Sequence, residues 1–239
     1  MKRIRIFAGP NGSGKSTLVQ QFIEDDPKLI NPQLHIDPDK LNTQNIINFE
    51  NLGIQTDISE FQEHLLNSTL FPISKIDIKD IKFENNCLIN NINNSYMGSL
   101  IADFIRDKLI DLDINLFSFE TVFSHESKIE FMERARQKGW KLYLYFVSTS
   151  DIAINQGRVN ERVQKGQHNV PDHKIKDRYK RSNNFLFDAL KLCRRAYVFD
   201  NSNDTSVLIV EKDIDGKIWI KDENELPQWV DTYLLSKFE

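Results

Sequence analysis

The sequence predicts an α/β fold: a mostly parallel sheet flanked by helices, with an inserted segment and a C-terminal β-hairpin. Three observations predict it. Short apolar runs alternate with helix-patterned stretches, the rhythm of strand–helix–strand units whose sheet is covered on both faces. A glycine-rich run stands directly behind the first apolar strand. The 239 residues, 40% hydrophobic and 28% charged, are enough to bury one substantial core.

Strands are expected over Arg3–Ala8, 33–36, 114–120, Lys141–Ser148 and Arg195–Asp200, each an apolar run of strand length. A helix follows the first strand at 17–25, and another is expected over 124–138, opened by Ser124-His125-Glu126-Ser127 in the manner of a capped helix. Two long helical segments fill 150–193, broken near Gly166 and Pro171. Beyond Asn201, Val207–Lys212, an Asp215-Gly216 turn and 217–220 read as a hairpin, before a closing helix over 227–238. Residues 42–95 are rich in Asn and Ile, nearly free of Gly and too long for a bare loop, so they fold by themselves. Within them 57–70 has helical spacing, with Ile58, Phe61, Leu65 and Leu66 on one face, 73–83 alternates like an exposed strand pair, and 85–94 reads as a polar loop. The chain is thus read as a single domain over 1–239, with an insert at 42–95 as substrate-binding subdomain, a lid at 148–181 and a hairpin and helix over 203–239.

Composition narrows the function. There are 31 basic and 35 acidic residues, a net charge of −4, which argues against a protein built around a nucleic-acid backbone. No apolar stretch approaches the roughly 20 residues of a membrane helix, and the first strand begins almost at once with no apolar signal core, so a cytoplasmic protein is expected. Cys87 and Cys193 are far apart and lack the paired spacing of a zinc site or a disulfide framework; Cys193 reads as core.

Gly9-Pro10-Asn11-Gly12-Ser13-Gly14-Lys15-Ser16 fits G-x-x-x-x-G-K-[ST], the phosphate-wrapping loop of P-loop NTPases. Glycines let successive N–H groups converge on anionic oxygens at the start of a helix whose dipole is positive at that end. Gly9 to Thr17 are therefore the expected nucleotide-binding residues, Lys15 reaching the β- and γ-phosphates and Ser16 offering its hydroxyl to a magnesium ion, with ATP and Mg2+ as cofactors. Asp37 and Asp39 close the second strand at the carboxyl edge of the sheet, where either carboxylate could take a proton from an attacking hydroxyl; the plainer role is for Asp39 to cap a helix and Asp37 to fix a turn. Glu120 emerges beside Thr121 from an apolar strand, a costly position unless used, to hold the metal shell through water, grip an acceptor or pair with a buried arginine. Arg158, Arg162, Arg178 and Arg181 project from two helices around the 166–171 elbow and suit a closing lid that stabilises phosphoryl charge; a solvated face with Glu161–Lys165 pairing is the alternative.

Taken in order, Ala8 to Thr17, Ile36-Asp37-Pro38-Asp39, Ser118 to Ser124, Arg158-Val159-Asn160-Glu161-Arg162-Val163, 166–171, Arg178 to Ser182 and Asp200-Asn201-Ser202 resemble the zeta-toxin-like P-loop kinases over residues 3–202, apart from the insert. The resemblance implies transfer of the ATP γ-phosphate to a hydroxyl, in characterised toxins the 3′-hydroxyl of a uridine-diphosphate amino sugar. It implies that Asp37 is the base, that Glu120 grips the substrate, that Arg158 and Arg162 stabilise charge, and that Asn201 approaches the adenine; Asp39, Thr121, Arg178 and Arg181 are expected from the residues themselves to join Glu120 in holding the substrate. It also implies a toxin–antitoxin role, with a small helical antitoxin over the nucleotide site. The chain departs from the pattern at Thr121-Val122, where the toxins carry Gly-Thr, at Gln167, where closer relatives carry Gly, and in its insert. Two other functions fit the loop: a nucleotide-binding switch or partner protein, and a polynucleotide kinase or plain NTPase.

Overall fold

The computed structural model describes residues 1–92, 94–165, 170–222 and 226–238. The chain is mixed α/β, with a seven-stranded, mostly parallel sheet flanked by helices. It divides into two compact units, residues 1–30 with 118–239 and residues 31–117.

The first unit starts with β1 (Arg3–Ala8), the glycine loop and α1 (Lys15–Asp25). In the second unit come β2 (His35–Ile36), α2 (Pro38–Thr43), β3 (Ile46–Asn48), α3 (Ile58–Asn67), α4 (Phe71–Ser74), β4 (Lys82–Glu84), β5 (Cys87–Ile89) and α5 (Met97–Leu109). The chain returns to the first unit within β6 (Leu116–Thr121) and continues as α6 (Ser127–Gln137), β7 (Lys141–Ser148), α7 (Ile152–Gln164), α8 (Asp172–Asn184), α9 (Leu186–Leu192), β8 (Arg195–Asp200), β9 (Val207–Lys212), β10 (Ile218–Ile220) and α10 (Gln228–Tyr233).

In the first unit the strand order is β10-β9-β8-β7-β1-β6. β1 pairs parallel with β7 and β7 with β8, in registers that set Ala8 beside Phe146 and Ser148 beside Asp200. The expected hairpin is present: β9 runs antiparallel to both β8 and β10. Against one side of β1 and β7, Phe7, Leu18, Val19, Ile30, Tyr145 and Val147 form a buried cluster that seats α1 and with it the glycine loop.

In the second unit a three-stranded antiparallel sheet, β3-β5-β4, stands beside a knot of stacked and edge-on rings from Phe49, Phe61, Phe83 and Phe104. Phe61 and Leu65 are buried as the helical spacing predicts, but Ile58 and Leu66 are exposed, so the buried stripe of α3 is narrower than expected. The strand pair expected over 73–83 is instead a short helix, a 3-10 turn over Ile78–Asp80 and only then β4. Pro72 in the first turn of α4 presets helical φ, and Asp77 caps the 3-10 turn by accepting from the Lys79 N–H. The polar loop expected over 85–94 contains β5, because Asn85 and Asn86 take φ of 48° and 61°, the left-handed pair a tight hairpin needs.

Other boundaries moved for local reasons. The second strand shortens to His35–Ile36 because Pro32 opens a 3-10 turn capped by the Asn31 side chain. α6 starts at Ser127 rather than 124, since His125 Nδ1 accepts from the Ser127 N–H and turns the chain there. The helical stretch to 193 is three helices, with a further junction at Phe185. The Gly166 to Asn169 part of the expected elbow, including Gln167 and His168, lies outside the described residues. Cys87 and Cys193 are free thiols, and burial pushes the Cys193 pKa up to about 12.

Candidate phosphate-binding site

The glycine loop joins β1 to α1 as the sequence requires. Gly12 and Gly14 have φ of +75° and +99°, and a Cβ there would lie 2.5 Å from the Asn155 carbonyl oxygen and 2.1 Å from Asn201 Nδ2. Only glycine fits on both counts. The first hydrogen bond of α1 runs from the Leu18 N–H to the Gly14 carbonyl, so the N–H groups of Lys15, Ser16 and Thr17 precede the helix ladder, and Gly14 gives no side-chain cap. These donors, with the helix dipole behind them, form a cradle for an anion.

Lys15 Nζ folds back on the loop, donating to the carbonyls of Gly9 at 2.9 Å and Pro10 at 3.0 Å. Ser16 Oγ donates to Glu120 Oε2 at 2.7 Å. Glu120 is buried at the end of β6, 104 residues away in sequence, so the acid that the sequence singled out meets the hydroxyl expected to bind a metal. Both are hard oxygen ligands of the kind magnesium prefers, and that ion binds through one or two carboxylates with phosphate and water rather than in an all-protein cage. Thr121 accepts the Phe123 N–H at 3.1 Å; Phe123, three residues after the acid, is buried with φ of 58°, a strained conformation for a bulky residue.

Two asparagine amides fix the loop backbone. Asn155, fully buried on α7, donates Nδ2 to the Asn11 carbonyl at 2.6 Å and accepts from Thr149 Oγ1 through its own oxygen. Tyr179 in turn donates its hydroxyl to the Thr149 carbonyl at 2.5 Å. Asn201 donates Nδ2 to the Ser13 carbonyl at 2.8 Å, and Asp200, just before it, accepts from Trp229 Nε1 and from the Ser202 hydroxyl, each at 2.8 Å. Sequence reasoning named Asn201, as a residue near the base, but missed Asn155, Thr149 and Tyr179. The signal available for Asn155 was an amide one turn before Arg158 on the same helical face.

The arginines divide. Arg158 donates to the carbonyls of Asn201 at 2.7 Å and Asn203 at 3.0 Å. With Arg162 it lines a cavity of about 290 Å³ that extends from Gly12, Gly14 and Thr17 to Asp204. Arg178 reaches Asn11 Oδ1 at 3.4 Å, while Arg181 is exposed and donates from Nε to the Asp177 carbonyl at 3.4 Å. In the second unit Asp37, not Asp39, caps α2: its Oδ1 accepts from the N–H groups of Asp39 at 2.9 Å and Lys40 at 3.4 Å. Asp37 is buried and Asp39 exposed.

No helix among the described residues is long and apolar enough to cross a membrane. No family model and no curated protein matches the sequence. Solved structures do match. Chains from the AvrRxo1-ORF1:AvrRxo1-ORF2 complex align with a TM-score of 0.58, at 11% identity in the structure with sulphate ions and 12% in the one with ATP. Each alignment covers 94% of this chain and 62% of that one, so this chain spans under two thirds of their length. A structure of the PezAT chromosomal toxin–antitoxin system of Streptococcus pneumoniae aligns with a TM-score of 0.50 at 13% identity, over 98% of this chain and 79% of that one. At these identities the likeness is one of fold: the chain shares a mostly parallel, helix-flanked sheet with these proteins.

Proposed function

We propose that the protein is a magnesium-dependent phosphotransferase that moves the γ-phosphate of a nucleoside triphosphate to a hydroxyl of a small metabolite. One arrangement carries this reading: a glycine loop with Lys15, Ser16 and Glu120 gathered at the start of α1, opening on a cavity lined by Arg158 and Arg162. The fold it shares with a protein solved with ATP supports ATP as the first donor to test. Lys15 would exchange the carbonyls of Gly9 and Pro10 for phosphate oxygens. Ser16 would hold the magnesium, with Glu120 behind it through water; the ion would neutralise phosphate charge. Arg162, and Arg158 when released from the 201–203 carbonyls, would meet the charge that spreads over the transferring group.

Asp37 is our candidate for the base, with Asp39 next. The acceptor would be held by residues 42–95 and by Thr121, Arg178 and Arg181, under a lid formed by 148–181. A nucleotide sugar is the acceptor class to examine first, and a helical antitoxin the partner, in keeping with the toxin–antitoxin system of similar fold.

The test is mass spectrometry of a bacterial metabolite extract incubated with protein, ATP and magnesium, with Lys15→Ala as the blank. An ion one phosphate heavier than a nucleotide sugar is expected; ADP without any phosphorylated product would oppose the transfer reading. Asp37→Asn sharpens the test, since Asn caps a helix as well as Asp does and the fold is kept. Transfer should stop while nucleotide binding survives.

A further inference from the structure

The chain after β8 is tied to the phosphate loop in a way that bears on the nucleobase. Asn201 Nδ2 holds the Ser13 carbonyl at 2.8 Å, which fixes the start of the 201–206 segment on the loop. Arg158 orders the same segment from α7 through the carbonyls of Asn201 and Asn203. Three residues after Asn201, Asp204 lines the cavity that begins at Gly12, Gly14 and Thr17. Its carboxylate is exposed and has no hydrogen bond or ion pair among the described residues. Ser206, also on the cavity, has a buried hydroxyl with no partner among the described residues. A nucleotide with its phosphates in the loop would place its base toward this end.

We propose that Asp204 reads the base and that the donor site prefers guanine nucleotides to adenine nucleotides. The proposal rests on the nucleotide reading above. A carboxylate offers only acceptors. The Watson–Crick edge of guanine presents two adjacent donors, N1–H and the N2 amine, which a carboxylate accepts as a pair; adenine presents one donor beside the N1 lone pair, which repels the second oxygen. An anionic acceptor with two aligned donors is among the stronger hydrogen-bond pairings.

The experiment is calorimetric titration of the full chain, in magnesium, with GDP, ADP and xanthosine diphosphate, for the wild type, Asp204→Asn and Lys15→Ala. GDP is expected to bind the wild type about tenfold or more tighter than ADP, the loss expected for one charged hydrogen bond. Xanthine keeps N1–H but carries a carbonyl at position 2, so a carboxamide is its complement. Asp204→Asn should therefore weaken GDP and strengthen both xanthosine diphosphate and ADP, because the amide also accepts from the adenine N6 amine and donates to N1; the two strengthened nucleotides serve as the control for folding. ADP binding as tight as or tighter than GDP, or a variant that weakens every nucleotide alike, would overturn the base assignment alone. If no nucleotide binds the wild type, or Lys15→Ala binds all of them normally, the phosphate-loop reading falls and this proposal with it.

Discussion

Around the glycine loop of the first unit the fully buried side chains include Ser13, Thr149 and Asn155, whereas in the second unit they include Phe49 and Phe61, with Phe104 almost as deep. Hydrogen bonds are directional, and a buried polar group left without a partner costs free energy, so a network such as Tyr179–Thr149–Asn155–Asn11 holds one backbone geometry. Ring packing is large in energy but loose in direction. The first unit thus fixes the shape of a loop that must match an anion, and the second uses apolar burial to hold together a segment with only three short strands in its own sheet.

The largest effect that would test this contrast is in the ring cluster. Phe61 is fully buried against Phe49, Phe83 and Phe104, and Phe61→Ala should destabilise the protein by about 3–5 kcal/mol through lost burial and a residual cavity. Hydrogen exchange should show the loss of protection concentrated in residues 31–117, with the glycine loop unchanged. Equal loss in residues 1–30 would show that the two units do not differ in this way.

A smaller effect is expected from the polar interior, with a different signature. Asn155→Ala leaves the Asn11 carbonyl without its partner and should cost about 1–3 kcal/mol. Because that carbonyl belongs to the phosphate loop, nucleotide affinity should fall as well, which Phe61→Ala should not cause. Asn155→Asp, which puts an acceptor where the amide donates, should weaken binding at least as much. Unchanged affinity in both variants would reduce Asn155 to a packing role.

The strands of the first unit were legible because each is a short apolar run, and the loop because its glycines, lysine and serine stand at fixed spacing in eight consecutive residues. Glu120 was legible for the opposite reason, as an acid closing an apolar strand. The partners of the loop were not, because Asn155 meets Asn11 across 144 residues and no local pattern reports that distance. α5 also escaped the sequence reading. Its buried positions, Met97, Gly98, Leu100, Ile101, Ala102, Phe104, Ile105, Arg106 and Leu109, cover most of its circumference and leave only a narrow polar stripe of Ser99, Asp103 and Asp107, and it opens without a side-chain cap, so no start signal marks it. The strands expected over 73–83 failed because isoleucines spaced two and three apart were read as alternation, while Pro72 and Asp77 dictated turns.

The smallest effect separates the two interiors by pH. Tyr179 donates to the Thr149 carbonyl, and Tyr179→Phe should cost about 0.5–1.5 kcal/mol at neutral pH. Burial raises the Tyr179 pKa from 10 to about 12. The folded chain therefore keeps this proton at a pH where the unfolded chain has released it, and the stability it contributes is complete below pH 10 and lost as the pH rises toward 12. The phenylalanine variant has no such proton. Cys193, whose pKa burial also raises, titrates equally in both proteins and cancels from their difference. The gap in unfolding free energy between wild type and Tyr179→Phe should then stay constant below pH 10, and close and change sign between 10 and 12. The gap between wild type and Phe61→Ala should not move over that range, since no ionisable group is removed. A Tyr179 gap that stayed flat to pH 12 would mean that this hydroxyl is not held in the buried network that fixes the loop.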